Sequence, residues 1–166
     1  MRVFAFDRDR TIDVNPPPGK KDAVPIEWVQ TLAQDTDHEV WAIGNQDLVD
    51  EAGIPGDNEA RKRFIETFGS PQKHIQKREV RSLQYWVDKP PNAPDPDLID
   101  ALVQYEEDNE RPTRHRRVRI IQSLFPEAND YIVVDNRYLG FLQSWTHYQP
   151  WEFVEYVEDC GGIRKI

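Results

Sequence analysis

The chain has 166 residues, enough for one domain with a substantial core and too few for two full-sized ones. Thirty acidic residues against 21 basic ones give a formal charge of -9, which argues against indiscriminate binding to DNA or anionic membranes. Five Trp, six Tyr and seven Phe supply bulky core material that a disordered acidic chain lacks, so the chain is expected to fold. The single cysteine, Cys160, excludes an intramolecular disulfide framework. No apolar stretch approaches the roughly 20 residues that span a bilayer. Without a cationic start followed by an apolar run of signal-peptide length, a cytoplasmic address is expected.

The first segment, Arg2 to Phe6, is an apolar run short enough for a buried strand, and it ends abruptly at Asp7. A proline loop, Pro16-Pro17-Pro18-Gly19, precedes Val24 to Gln34, where Val24, Trp28, Val29 and Leu32 recur at helical spacing. Glu39 to Ile43 reads as a second strand ended by Gly44-Asn45. Gln46 to Glu110 carries helical patterns near Asp57 to Phe68 and Pro96 to Glu107, with Tyr85-Trp86-Val87 too short to assign, and has room for a small helical insertion. Arg114 to Phe125 reads as a helix stopped by Pro126, and Asp130 to Val134 as a third strand ended by Asp135-Asn136. Leu139 to Trp145 is expected to be helical and Thr146 to Tyr148 a short strand. Trp151 to Val157 is expected to be a closing helix stopped near Gly161-Gly162. Alternating strands and helices without a repeat give a single α/β domain, with its polar strand ends gathered at the carboxyl edge of a parallel sheet.

The most informative residues are Phe6-Asp7-Arg8-Asp9-Arg10-Thr11-Ile12, where two carboxylates spaced by one residue follow a buried strand. In an extended stretch alternate side chains share a face, so Asp7 and Asp9 are expected to project into one polar pocket. Their repulsion is most simply offset by a divalent cation. This stretch resembles the first motif of the haloacid-dehalogenase-like superfamily of phosphohydrolases and phosphotransferases, a strand ending in Asp-x-Asp-x-Thr. The resemblance implies a three-layer Rossmann-like fold without a large cap, Asp7 as the nucleophile, and Asp9 as general acid and base. It also implies Mg²⁺ held by Asp7, the Asp9 carbonyl and Asp135. The later motifs follow in the family's order: Gly44 where a Thr or Ser is usual, Asn45-Gln46 beside it, Lys89 as the phosphate-neutralising lysine, and Asp135 after an apolar strand. Thr11, Gly44, Asn45, Arg10 and Arg111 are the implied substrate contacts.

Departures from the pattern set the alternatives. Gly44 has no hydroxyl to offer a phosphate, Arg10 stands where the family usually has Gly, and Arg111-Pro112 competes with Lys89 for the neutralising role. The expected activity is a Mg²⁺-dependent phosphatase working through an aspartyl-phosphate on a phosphomonoester. The alternatives are a HAD-like binding or regulatory protein without turnover, and a phosphatase of nucleic-acid ends. Five arginines between Arg111 and Arg119 motivate the last, although a solvated helix paired with Glu106, Glu107, Asp108 and Glu110 explains them as well. The four histidines lack zinc-helix spacing, and no nucleotide-binding glycine loop is present. The acidic excess and sparse Lys resemble proteins of salt-loving archaea, in which carboxylates keep the surface hydrated. A phosphorylated small molecule or a nucleic-acid end is the expected partner; a membrane is not.

Overall fold

Four strands, Arg2–Phe6 (β1), Glu39–Ala42 (β2), Asp130–Val134 (β3) and Thr146–Tyr148 (β4), form one sheet in a computed structural model that describes residues 1–68, 114–140 and 142–166. The order is β2-β1-β3-β4 and every pairing is parallel. Strand β1 is buried on both faces, which explains why its sequence is a continuous apolar run. Its period of two sends Phe4 and Phe6 into one core and Val3 and Ala5 into the other.

Helices cover both faces. Ile26–Asp35 (α1), Gln46–Ala52 (α2) and Pro150–Asp159 (α5) pack on the Phe4/Phe6 side through Val29, Leu32, Leu48, Ala52, Phe153 and Val157. Asp57–Phe68 (α3) and Arg114–Leu124 (α4) pack on the Val3/Ala5 side through Ala60, Phe64, Val118, Ile120 and Ile121. The result is a layered α/β arrangement compatible with a Rossmann-like fold. Among the described residues, no helix is long and apolar enough to cross a membrane.

Several local expectations change. Helix α1 begins at Ile26 because Val24 is taken by a parallel bridge to Ile12, and Pro25, extended at ψ 133°, forms the helix cap. Residues 139–140 and 142–145 form turns and not a helix. The Leu142 and Trp145 amides donate to Leu139 and Leu142 carbonyls, and Ser144 takes a left-handed φ of 68° that no α-helix tolerates. Leu139, Leu142 and Trp145 are buried, so burial in turns produces their spacing of three. The closing helix is longer than expected, starting with Pro150 at its first turn behind a Gln149/Glu152 capping box. It stops before Gly161 and Gly162, both at positive φ. Of the expected 46–110 insertion, residues 46–68 form α2 and α3 on opposite faces of the sheet. Tyr85-Trp86-Val87 and Pro96 to Glu107 lie outside the described residues.

The topology also places the site. From β1 the chain steps to β2 on one side, and it later returns to β3 on the other, so the order reverses between β1 and β3. A crevice outside the carboxyl ends of the strands forms at such a reversal. The register pairs Phe6 with Val134, and the Asp7 amide donates to the Val134 carbonyl at 3.0 Å, so Asp7 and Asp135 leave the sheet side by side.

Phe153 meets Phe6 edge-on at 5.5 Å and Phe4 at 6.3 Å, tying α5 to the central strand. Phe153→Ala is expected to cost about 3–5 kcal/mol of unfolding free energy, read from the urea midpoint.

Candidate active site

Asp7 and Asp135 are buried, at 3% and 0% exposure, and their carboxylates converge on one guanidinium nitrogen. Arg114 Nη1 lies 3.0 Å from Asp7 Oδ2, 2.8 Å from Asp135 Oδ2 and 2.9 Å from Asp135 Oδ1. Arg114 opens α4, on the face of the sheet opposite α1, α2 and α5, and reaches over the strand ends from there. One cation therefore serves two carboxylates. Burial pushes the Asp7 carboxyl from 3.8 up to about 6; Arg114 opposes this rise, and the neighbouring Asp135 charge adds to it.

Asp9 is not among the carboxylates on Arg114, although its charge still acts on Asp7. The chain turns at Arg8, whose carbonyl accepts from the Thr11 and Ile12 amides, so the extended geometry that would align Asp7 with Asp9 ends after Asp7. The Asp9 carboxylate instead accepts from Asn15 Nδ2 at 3.0 Å and Arg8 Nη1 at 2.8 Å, which hold it below the usual carboxylate range. Its other oxygen lies 3.5 Å from Asn45 Nδ2. Arg8 also grips Glu51 of α2 through two bonds of 3.0 and 2.9 Å, fastening the Asp9 turn to that helix.

Thr11 is fully buried, and its hydroxyl accepts from the Asn136 amide at 3.2 Å, stitching the turn after β1 to the turn after β3. Asn45 caps α2 by accepting from the Asp47 amide at 2.8 Å. Arg10 is exposed and left-handed at φ 57°, a backbone that favours glycine, which is the residue the family pattern has there. Lys89 and Arg111 lie outside the described residues.

Gly44 has a geometric reason of its own. A Cβ at this position would overlap Asp7 Oδ1, so the strand edge approaches the carboxylate as closely as a backbone can. A Thr or Ser hydroxyl has no space there while Asp7 remains on Arg114.

The arginine-rich helix turns inward. Arg116 is buried, Arg114 is spent on the two carboxylates, and Arg117 donates to the Ile43 carbonyl at 2.7 Å. The expectation of a solvated helix is corrected at Arg116, which is buried, and at Arg114 and Arg117, whose guanidiniums satisfy the Asp7 and Asp135 carboxylates and the Ile43 carbonyl; Glu106, Glu107, Asp108 and Glu110, expected to pair with the helix, lie outside the described residues. Sequence reasoning noticed Arg114 but gave it no place in the site. Its usable signal was its position at the start of the helix that leads into the Asp135 strand.

Among the described residues, no cluster of three or more His, Cys, Asp or Glu side chains is arranged to hold a metal ion. Magnesium, which keeps several waters, needs only one or two carboxylates. Asp7 and Asp135 supply that number of carboxylates, with Arg114 Nη1 between them. No family model, curated protein or solved structure matches the chain, so the chemistry open to the site follows from its own residues.

Because the folded protein holds the Asp7 proton to about 6 while an unfolded carboxyl loses it near 3.8, stability in chelating buffer falls as pH rises through this window. Asp7→Asn is expected to gain about 1–3 kcal/mol over the wild type above pH 6, a gain that disappears near pH 4, as followed by urea unfolding. Gly44→Ala is expected to cost about 1–3 kcal/mol by displacing the Asp7 carboxylate. In an Asp7→Ala background the same substitution should cost far less, a coupling that a double-mutant cycle reads directly.

Proposed function

We propose that the chain is a Mg²⁺-dependent phosphohydrolase of the haloacid-dehalogenase-like type, acting on phosphomonoesters through an aspartyl-phosphate on Asp7. The observation that carries this reading is the meeting of Asp7 and Asp135 on Arg114 at the sheet's reversal point. A buried carboxylate at a strand end, backed by a second carboxylate and a cation, suits attack on a phosphoryl group.

In the first half-reaction an Asp7 carboxylate oxygen forms a bond to phosphorus, and the bond to the leaving alcohol oxygen breaks. In the second, water attacks the same phosphorus, the bond to Asp7 breaks, and free carboxylate and inorganic phosphate result. Asp9, held ionised by Asn15 and Arg8, takes the proton of the attacking water, and that proton is available to the next leaving alcohol. Arg114 keeps Asp7 ionised and aimed, and its guanidinium neutralises phosphate, the role the family pattern gives to a lysine. Asp7, Asp135 and the Asp9 carbonyl would hold Mg²⁺, which when bound shields the approach of one anion to another.

A second reading, a binding protein without turnover, draws on the same guanidinium, because Arg114 lies on the Asp7 oxygen and Gly44 supplies no hydroxyl. The nucleic-acid-end alternative loses support from Arg114, which is held by two carboxylates, and from Arg116, which is buried.

Phosphate release from p-nitrophenyl phosphate separates the first two. With Mg²⁺ the wild type is expected to turn over, chelator to abolish release, and Asp7→Asn to lower kcat by at least about 10³-fold. Arg114→Ala is expected to cost about 10²-fold in kcat. A folded, Mg²⁺-supplied protein inert across simple phosphomonoesters supports the binding-protein reading instead.

A further inference from the structure

Glu51 stands where its own helix disfavours it. It lies in the last turn of α2, at the negative end of the helix dipole, and that turn contains no basic residue. Its carboxylate is satisfied from outside the helix: Arg8 Nε donates to Oε2 at 3.0 Å and Arg8 Nη2 to Oε1 at 2.9 Å, the side-on fork that fixes a guanidinium in its plane. The third nitrogen of the fork, Nη1, is thereby directed at Asp9 Oδ1, 2.8 Å away. The Arg8 side chain is only 17% exposed, which leaves it little room to swing. The anchor is itself tied down, since the Glu51 carbonyl accepts from Gln30 Nε2 of α1 at 3.2 Å.

Asp9 needs such support. Its side chain is half exposed, and a carboxylate on a turn samples several rotamers unless donors hold it. Two donors, Arg8 Nη1 and Asn15 Nδ2 at 3.0 Å, both fall on Oδ1. Among the described residues, Oδ2 faces only the Asn45 amide, at 3.5 Å. Asn45 caps the other end of α2, so both ends of this short helix bear on the two oxygens of one carboxylate. A proton added to Asp9 goes to Oδ2, because on Oδ1 it would compete with a bond to the guanidinium.

We propose that Glu51 is a positioning residue for Asp9: through Arg8 it fixes the carboxylate so that Oδ2 is the oxygen that takes a proton from the attacking water and gives one to the leaving alcohol. The proton role rests on the phosphohydrolase reading, whereas the hold of Glu51 on Asp9 does not.

Glu51→Gln and Glu51→Asp test this in the full-length protein with Mg²⁺. Glycerol leaving glycerol 3-phosphate needs a proton at the departing oxygen. The p-nitrophenolate of p-nitrophenyl phosphate leaves without one, and with enzyme in excess its first-turnover release reads only the transfer to Asp7. In Glu51→Gln, kcat for glycerol 3-phosphate is expected to fall about 10-fold further than that first-turnover rate, with KM little changed, and Glu51→Asp to restore part of the difference. Urea unfolding gives a readout without turnover. Asp9→Asn should lower the folding equilibrium constant about 3-fold more in the wild type than in Glu51→Gln, because Arg8 is aimed at Asp9 only while Glu51 anchors it. Equal losses of the two rates, or an Asp9→Asn cost that is the same or larger in Glu51→Gln, as for two carboxylates that only share a cation, overturn the inference and leave the phosphohydrolase reading in place. The unequal cost in a protein that cleaves no phosphomonoester keeps the hold of Glu51 on Asp9 and overturns the phosphohydrolase reading.

Discussion

Two buried carboxylates held around one guanidinium, at the point where the strand order of the sheet reverses, are the interaction on which the rest of the site depends. Asp7 and Asp135 leave adjacent parallel strands in register, and each would be costly to bury alone. Arg114 makes their burial tolerable without making it comfortable, as the upward push on the Asp7 carboxyl shows. A core designed only for stability has no use for such a pair. On the phosphohydrolase reading proposed above, an anion poised beside a fixed cation is where attack on another anion is prepared.

The neighbouring elements follow from this arrangement. Gly44 is bare because the Asp7 carboxylate occupies the space of a side chain. Thr11 is buried because its hydroxyl joins the turns that carry the two aspartates. Arg8 couples Asp9 to Glu51, so the turn after β1 is tied to α2. Arg117 pins the end of β2. These residues lie together at the carboxyl edge of the sheet.

The arginine-rich helix shows how composition misleads when read without its surroundings. Five positive residues in a short stretch of an acidic chain suggest either a solvated, paired surface or a grip on polyanions. The buried strand ends instead draw several of them inward, because carboxylates and carbonyls that water cannot reach must find donors within the protein.

The sequence by itself determined the strands around Phe4, Val40 and Ile132, the helical stretch 57–68, and the gathering of Asp7, Gly44 and Asp135 at one sheet edge. Each of these is carried by local signals: continuous apolar runs broken by polar turns, and apolar spacing at a helical period. Tertiary structure alone decided that Arg114 is the partner of both aspartates, that Asp9 is held by Asn15 and Arg8, and that residues 142–145 coil into a turn. Those outcomes depend on which donors and apolar surfaces arrive from segments far along the chain, and a burial requirement of that kind leaves no periodicity in the sequence to be read.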